Sequence, residues 1–245
     1  MNPVLEEIIT TGNTRTKNGS IKKVIGQITE EEGHLIQNSI NDINAEIGIE
    51  VGLAFGTSAL YICEALKKTK KTKHFVIDPY QMYEESYDGI GLNNLKRAGY
   101  EPIVEFIEMP SHKALVHLET QNVKADFAFI DGWHTFDHAL VDFFLVDKLL
   151  KIGGIVIMDD ADWPAIRKVC SFISKNRAYK LFGTTVKRSK LMSTSGNATS
   201  SVSKIQKVKN YLNNNKDQEG KNVFGAIAFK KVSNDYRLWD HFTDF

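Results

Sequence analysis

The strand-to-helix turn at residues 49–58, Ile-Glu-Val-Gly-Leu-Ala-Phe-Gly-Thr-Ser, decides the fold class. Gly52 and Gly56 let the backbone turn tightly and let a ligand lie close to it. The helix that follows from Thr57 presents free N–H groups at its first turn. We predict a ligand-binding turn at the carboxyl end of a strand, although a glycine pair standing alone also fits an ordinary strand-to-helix turn.

Strand and helix patterns alternate around this turn and predict a single α/β domain over residues 1–245. Strands such as 127–130 and 155–158 are apolar on both faces, which is typical of a parallel sheet with helices on both sides. We predict strands at 46–51, 74–77, 103–107, 125–130, 155–158, 179–186 and 224–232. We predict helices at 3–10, 57–68, 91–98, 111–118, 136–150 and 164–176, with a polar turn at 11–16 and a helix that starts from a capping box at Thr29 and Glu32.

The domain divides into a helical N-terminal segment (1–45), a core (46–186 and 224–245) and a polar insertion (187–223). The insertion is expected to be a mobile flap or a disordered segment that contains one short amphipathic helix through Ile205, Val208 and Leu212. The N-terminal 30 residues, this insertion and the tail at 236–239 are expected to form the pocket walls.

Composition narrows the functional classes. The net charge is +1, which argues against binding a polyanion by charge alone, although residues 163–231 hold 15 Lys/Arg and only 2 Asp/Glu. That basic segment leaves an anionic partner or a solvated surface open. Cys63 and Cys170 lie in apolar helical patterns and are expected to be buried, reduced thiols. We find no signal peptide and no membrane span, and we expect a cytoplasmic protein with no membrane partner.

Charge at the glycine turn selects among ligands. A dinucleotide-binding loop has three glycines, whereas Ala54 and Phe55 stand where further glycines would fall. Glu50 would repel a pyrophosphate but suits the cationic amino and sulfonium groups of S-adenosylmethionine (SAM). Asp78 ends the next strand, 22 residues after Gly56, where an acid can accept hydrogen bonds from ribose hydroxyls. The turn therefore favours SAM over NAD.

Three further acids follow strands at the same predicted edge: Asp131, Asp159 and Asp160. Carboxylates that meet there raise one another's pKa unless a cation lies among them. Oxygen ligands suit a divalent cation, above all Mg²⁺, and helix capping is the alternative role. His134 follows Asp131 by three residues and is a candidate general base, or else a surface histidine that starts a helix. His138 completes an HxxxH pair, but Thr135 replaces the glutamate that a zinc protease needs.

Together these segments resemble the class I SAM-dependent methyltransferases over roughly residues 28–176. More narrowly, they are similar to the Methyltransferase domain 24 group and to the catechol-type O-methyltransferases. The resemblance implies a Rossmann-like three-layer sandwich whose mostly parallel seven-stranded sheet has an antiparallel last strand at 224–232. It also implies that Glu50, Gly52, Gly56, Ser58, Asp78, Ser111 and Asp131 bind the cofactor.

The resemblance also implies a magnesium site at Asp131, Asp159 and Asp160, with Asp160 in place of a usual asparagine and His134 in place of a catalytic lysine. We therefore expect methyl transfer from SAM to a hydroxyl oxygen of a small molecule, with His134 and Asp131 as catalytic residues. A metal-independent methyltransferase acting on a sugar, a nitrogen or a nucleic acid stays open. A non-catalytic protein that binds SAM or a nucleotide stays open too, as does a homodimer.

Overall fold

The computed structural model describes residues 1–66, 71–186, 201–213 and 224–245, which form nine strands and eight α-helices. The strands are β1 (Asn13–Arg15), β2 (Ile21–Lys23), β3 (Ile47–Val51), β4 (Lys73–Ile77), β5 (Val104–Ile107), β6 (Ala125–Ile130), β7 (Leu150–Met158), β8 (Tyr179–Thr184) and β9 (Ile227–Lys231). The helices are α1 (Pro3–Thr11), α2 (Glu30–Asp42), α3 (Thr57–Leu66), α4 (Ile90–Arg97), α5 (Ser111–Thr120), α6 (Phe136–Leu149), α7 (Pro164–Asn176) and α8 (Ser201–Asn213).

Seven of the strands form one sheet in the order β5-β4-β3-β6-β7-β9-β8. Neighbouring strands from β5 to β7 are parallel, whereas β9 runs antiparallel to both β7 and β8. The chain order reverses between β3 and β6, which is where open α/β sheets place their ligand crevice. The predicted fold class, including the antiparallel last strand, is confirmed.

Alternate residues of the central strands pack into two separate clusters, one on each face of the sheet. Ala128 and Ile130 pack with Leu115 of α5 and Phe143 of α6. Phe127 and Phe129 of the same strand pack with residues of the N-terminal helices on the opposite face. Burial on both faces explains why these strands read as continuous apolar runs.

Helix α2 begins as its sequence predicts. The Thr29 side chain accepts a hydrogen bond from the Glu32 backbone, and the Glu32 carboxylate accepts one from the Thr29 backbone at 2.7 Å. This reciprocal cap satisfies two N–H groups that the first turn leaves free.

The N-terminal segment differs from the prediction. A hairpin of β1 and β2 stands where a polar turn was predicted, and Thr14 is buried with its hydroxyl 2.7 Å from Asn94 Oδ1. Because a polar contact rather than an apolar alternation fixes this hairpin, the hydrophobic pattern did not indicate it. Strand β9 also begins later than predicted, at Ile227 rather than Phe224.

The amphipathic helix predicted inside the insertion is present as α8. Val208 and Leu212 are buried, and the Ser171 hydroxyl of α7 donates to the Leu212 carbonyl at 3.1 Å. Tyr211 donates to the Ala161 carbonyl at 3.0 Å, which ties α8 to the segment after β7. The remainder of the predicted flap, 187–200 and 214–223, lies outside the described residues.

Both cysteines are free and buried, in agreement with the prediction of reduced thiols. Among the described residues, no helix combines the length and hydropathy that a membrane crossing requires.

Candidate active site

Strand register brings the predicted site residues to one edge of the sheet. Val51 pairs with Ile77 on one side and with Ile130 on the other, and Ile130 pairs with Met158. The residues that follow these four are Gly52, Asp78, Asp131 and Asp159, so the glycine turn and three of the acids leave the sheet at the same level.

The glycine turn is possible only because Gly52 has no side chain. Its φ is 92°, and a Cβ there would overlap the carbonyl oxygen of Asp131. The Gly52 N–H donates to the Ile77 carbonyl at 2.9 Å, which closes the turn against β4. Ala54 also has a positive φ, 47°, a strained conformation of the kind that concentrates at ligand-binding loops.

Asp78 is held by three backbone donors. Its Oδ2 accepts from the N–H groups of Leu53 and Ala54 at 3.1 and 3.2 Å, and its Oδ1 accepts from Tyr80 at 2.8 Å. These bonds tie the end of β4 to the glycine turn and leave lone pairs on both oxygens for further donors.

Glu50 lies behind the cavity wall rather than on it. Its side chain is 0% exposed, Oε1 accepts from the Ser58 hydroxyl at 2.5 Å, and Oε2 lies 2.9 Å from His74 Nε2. The sequence analysis did not assign His74 to the site. The signal that would have found it is its register, because β3 and β4 are adjacent parallel strands.

The acids and histidine that follow β6 and β7 form one cluster. His134 Nε2 lies 3.3 Å from Asp131 Oδ1 and 3.0 Å from Asp160 Oδ2, and one ligand atom from each of the three lies within 4.8 Å of the others. Hydrogen bonds that the His134 ring donates to Asp131 and, to a smaller extent, to Asp160 raise the pKa of His134 to about 10. Burial raises the pKa of Asp131 to about 6, although the hydrogen bond from His134 opposes the shift.

Asp159 is not one of these three residues. It is buried, its Oδ1 has no hydrogen-bond partner among the described residues, and burial raises its pKa well above the usual range. The Asp131 carboxylate is the next contributor to that rise. Of the predicted acids, the structure therefore joins Asp131 and Asp160 through His134 and places Asp159 in the buried layer beside them.

A cavity of about 680 Å³ joins the turn, Asp78 and the acid cluster. Ser111, the first residue of α5, lines it, and so do Asp131 and His134. Two exposed tryptophans lie at the cluster: Trp133 lines the cavity, and the Trp163 ring lies 5.1 Å from that of His134. Sequence reasoning assigned neither of them to the site.

The N-terminal wall of the cavity is formed by residues 25–28, which follow the hairpin, as expected. The tail at 236–239 is not among the lining residues, contrary to expectation. The end of the chain instead turns onto α7, where the Phe245 ring lies 5.1 Å from Phe172 and Asn176 donates to the Thr243 carbonyl at 2.9 Å.

Residues 49–161, which contain the glycine turn and the acid cluster, match the family model of a methyltransferase domain, Methyltransf_24. This stretch of the chain is therefore similar to the methyltransferase domains of that family. The resemblance predicted from the glycine turn and the strand-end acids is thereby confirmed for this part of the chain.

Curated relatives of the methyltransferase domain include O-methyltransferases. An Arabidopsis thaliana protein named as a putative caffeoyl-CoA O-methyltransferase is 30% identical over 154 residues, which are 61% of this chain and 60% of that protein. Catechol O-methyltransferase B of Danio rerio is 24% identical over 161 residues, 62% of this chain and 56% of that protein. The chain thus spans less than two thirds of the length of these relatives.

Solved structures share the fold. An O-methyltransferase from Bacillus cereus, in complex with S-adenosylhomocysteine (SAH), superposes with a TM-score of 0.64 at 16% identity, covering 94% of this chain and 92% of that one. This likeness supports the Rossmann-like architecture around the methyltransferase domain.

Proposed function

We propose that this protein transfers a methyl group from SAM to a hydroxyl oxygen of a small molecule. The observation that carries the proposal is the single cavity in which the Gly52 turn and Asp78 meet Asp131 and His134. One end of the cavity suits a nucleoside and the other holds proton-transfer groups. Relatives of the domain named as O-methyltransferases support the same activity.

The cofactor residues are assigned by what each offers to the cavity. Gly52, with φ of 92°, lines the cavity. Gly56, with φ of 80°, does not line it. A Cβ at Gly56 would lie 3.1 Å from the Gly91 carbonyl oxygen, so its role is to let the turn pack against α4. Asp78 offers carboxylate lone pairs to ribose hydroxyls, and Ser111 lies where the adenine is expected. Ser58 lines the wall in front of Glu50. We assign Ser58 to the amino-acid portion of SAM.

The acid cluster fits a divalent cation. Carboxylate oxygens of Asp131 and Asp160 lie within 4.8 Å of one another. The buried Asp159 Oδ1 has no hydrogen-bond donor among the described residues. Burial disfavours these negative charges, so a positive charge among them is stabilising. A bound Mg²⁺ would lower the pKa of an acceptor hydroxyl and orient it. We assign Asp131, Asp159 and Asp160 to this role.

His134 is assigned as the group that accepts the hydroxyl proton. While it bridges two carboxylates its pKa is raised to about 10, so it carries a proton at neutral pH and is not a base. Another positive charge on Asp131 and Asp160 would remove the cause of that shift and leave a neutral imidazole. With SAM bound, transfer of its methyl group to the acceptor oxygen would release SAH, and His134 would keep the hydroxyl proton.

The test is calorimetric titration with SAH, and with NAD as a control, in EDTA and then in Mg²⁺. We expect micromolar SAH binding and no NAD binding. The Asp160→Ala variant should keep SAH binding, because Asp160 does not line the cavity, and should lose the effect of Mg²⁺. Failure of the wild-type protein to bind SAH in either condition would remove the proposed function altogether.

A metal-independent methyltransferase is the second candidate, favoured by His134 itself. The imidazolium already places a positive charge between Asp131 and Asp160, at 3.3 and 3.0 Å. In that case SAH binds equally in EDTA and in Mg²⁺. Sugars and nitrogen compounds would then be tested as methyl acceptors beside hydroxyl compounds. Tight SAM binding without turnover of any acceptor would instead indicate a non-catalytic protein.

A further inference from the structure

A carboxylate without solvent contact lies directly behind the cavity wall. Both side chains of the Glu50–His74 pair are 0% exposed, and both Glu50 oxygens are engaged, one by Ser58 and the other by His74. A buried charge is costly unless such partners compensate for it. Burying this pair therefore carries a desolvation cost that an apolar pair at the same two positions would not have.

The strands make special room for the His74 ring. Gly48 is the register partner of His74, and a Cβ at Gly48 would lie only 2.9 Å from His74 Nδ1. Nδ1 is buried and has no hydrogen-bond partner among the described residues. An unsatisfied buried nitrogen costs free energy. The His74 side chain has one hydrogen-bond partner within the described part of the chain, Glu50, so losing it would leave both ring nitrogens unsatisfied.

The consequence reaches the cavity through Ser58. A serine hydroxyl has one hydrogen, and Ser58 donates it to Glu50. The Ser58 oxygen, on the residue that lines the cavity, is left with lone pairs only. A hydroxyl held in this way is an acceptor for the N–H donors of a cationic group, and the carboxylate behind it strengthens that bond.

We propose that His74 is a positioning residue that fixes Glu50, and through it Ser58, as the acceptor for the amino group of the amino-acid portion of SAM. This inference rests on the proposed function. The chain His74–Glu50–Ser58 acts on the amino-acid portion of the ligand alone, because Asp78 and Ser111 contact the nucleoside portion in the assignment above.

The experiment compares two ligands that differ in that portion. SAH carries the amino-acid group, whereas 5′-methylthioadenosine keeps the nucleoside and thioether and lacks it. We expect His74→Leu to weaken SAH binding by roughly tenfold or more in calorimetry, and to change methylthioadenosine binding by less than about twofold. His74→Gln, whose amide Nε2 can donate to Glu50, should recover most of the SAH affinity.

The outcomes separate the possible roles. If His74→Leu binds both ligands as the wild type does, or loses both to the same degree, the positioning role is wrong. Ser58→Ala gives an independent answer if the His74 variant does not fold, since unchanged SAH affinity in that variant also overturns the proposal. His117→Leu, on the exposed surface of α5, controls for the loss of a histidine. A wild-type protein that binds neither ligand refutes the proposed function itself.

Discussion

Two opposing effects act on the pKa of Asp131. Burial raises its pKa to about 6, whereas the imidazolium of His134 works in the other direction. A pKa raised above the unfolded value means that the folded protein prefers the neutral acid. The folded state therefore loses stability from Asp131 as pH rises from about 4 to about 6, and the full cost applies above that range.

We predict that Asp131→Asn is more stable than the wild type at pH 7.5 and has no methyltransferase activity. The amide keeps the shape of the neutral acid without the buried charge. Because 24% of the Asp131 side chain is exposed, we expect a gain of about 1–2 kcal/mol rather than the full value of the pKa shift. Urea denaturation at pH 7.5 and pH 5 tests this, and a gain that does not shrink at pH 5 contradicts it.

At this scale the sequence predicts residues that follow strands and misses residues within them. Asp78, Asp131 and Asp160 were predictable because parallel strands end at a common edge. The sequence did not predict which of Asp159 and Asp160 contacts His134. Successive residues point in different directions, and Asp160, which makes the contact, takes a left-handed φ of 48°. His74 was missed because its partner, Glu50, lies 24 residues away on another strand.

At the scale of elements, the close approach of β3 and β6 depends on one missing side chain. The turn after β3 passes over the Asp131 carbonyl at the end of β6, and Gly52 makes that approach possible. The Asp131 N–H also donates to the Val51 carbonyl at 2.9 Å, so the two strand ends are fixed to each other.

We predict that Gly52→Ala destabilises the protein by about 3 kcal/mol and removes SAH binding. The methyl group adds a steric overlap to a φ that non-glycine residues rarely adopt. Gly153→Ala is the matched control, since Gly153 has a φ of 86° but nothing within 4 Å of its position. Thermal denaturation should show a cost of about 1 kcal/mol for the control, and equal costs for the two variants would contradict the steric argument.

Some of the helices and strands are predictable from local sequence patterns, and others are not. Apolar runs on both faces predict β6 and the second half of β7, and the capping box predicts the start of α2. Strand β7 begins at Leu150 rather than at the predicted Ile155. The β1–β2 hairpin was not predicted, because it buries a threonine against an asparagine and has no alternating apolar face. The position of β9 between β7 and β8 depends on contacts distant in sequence, which local patterns do not contain.

On the scale of the whole molecule, a buried ion cluster joins the amino end of the sheet to its far edge. Asp147 of α6 pairs with Arg177 and with Lys231, at 3.2 Å from the latter's Nζ, and accepts from the Tyr179 hydroxyl at 2.5 Å. Burial and the Asp147 charge raise the pKa of Tyr179, which keeps it a hydrogen-bond donor. The cluster therefore connects α6, β8 and β9.

We predict that Asp147→Asn destabilises the protein by about 3–5 kcal/mol. The substitution leaves Lys231 without its carboxylate and leaves Arg177 with only the partly exposed Asp235, at 3.4 Å. A poorly compensated buried charge is more costly than a lost surface pair. Asp42→Asn is the control, because its pair with Lys230 at 3.2 Å is largely exposed and should matter by less than about 1 kcal/mol. Similar denaturation midpoints for the two variants would contradict the prediction.

The sheet order has a consequence for the protein while it is still being made. Strand β8 lies at the sheet edge beyond β9, so it leaves the ribosome before the strand that joins it to β7 exists. At about 5–20 residues per second, the 43 residues from Thr184 to Ile227 take roughly 2–9 s to translate. During that interval the nascent chain exposes an unpaired strand and one open edge of β7, which is the period when a chaperone would protect it from aggregation.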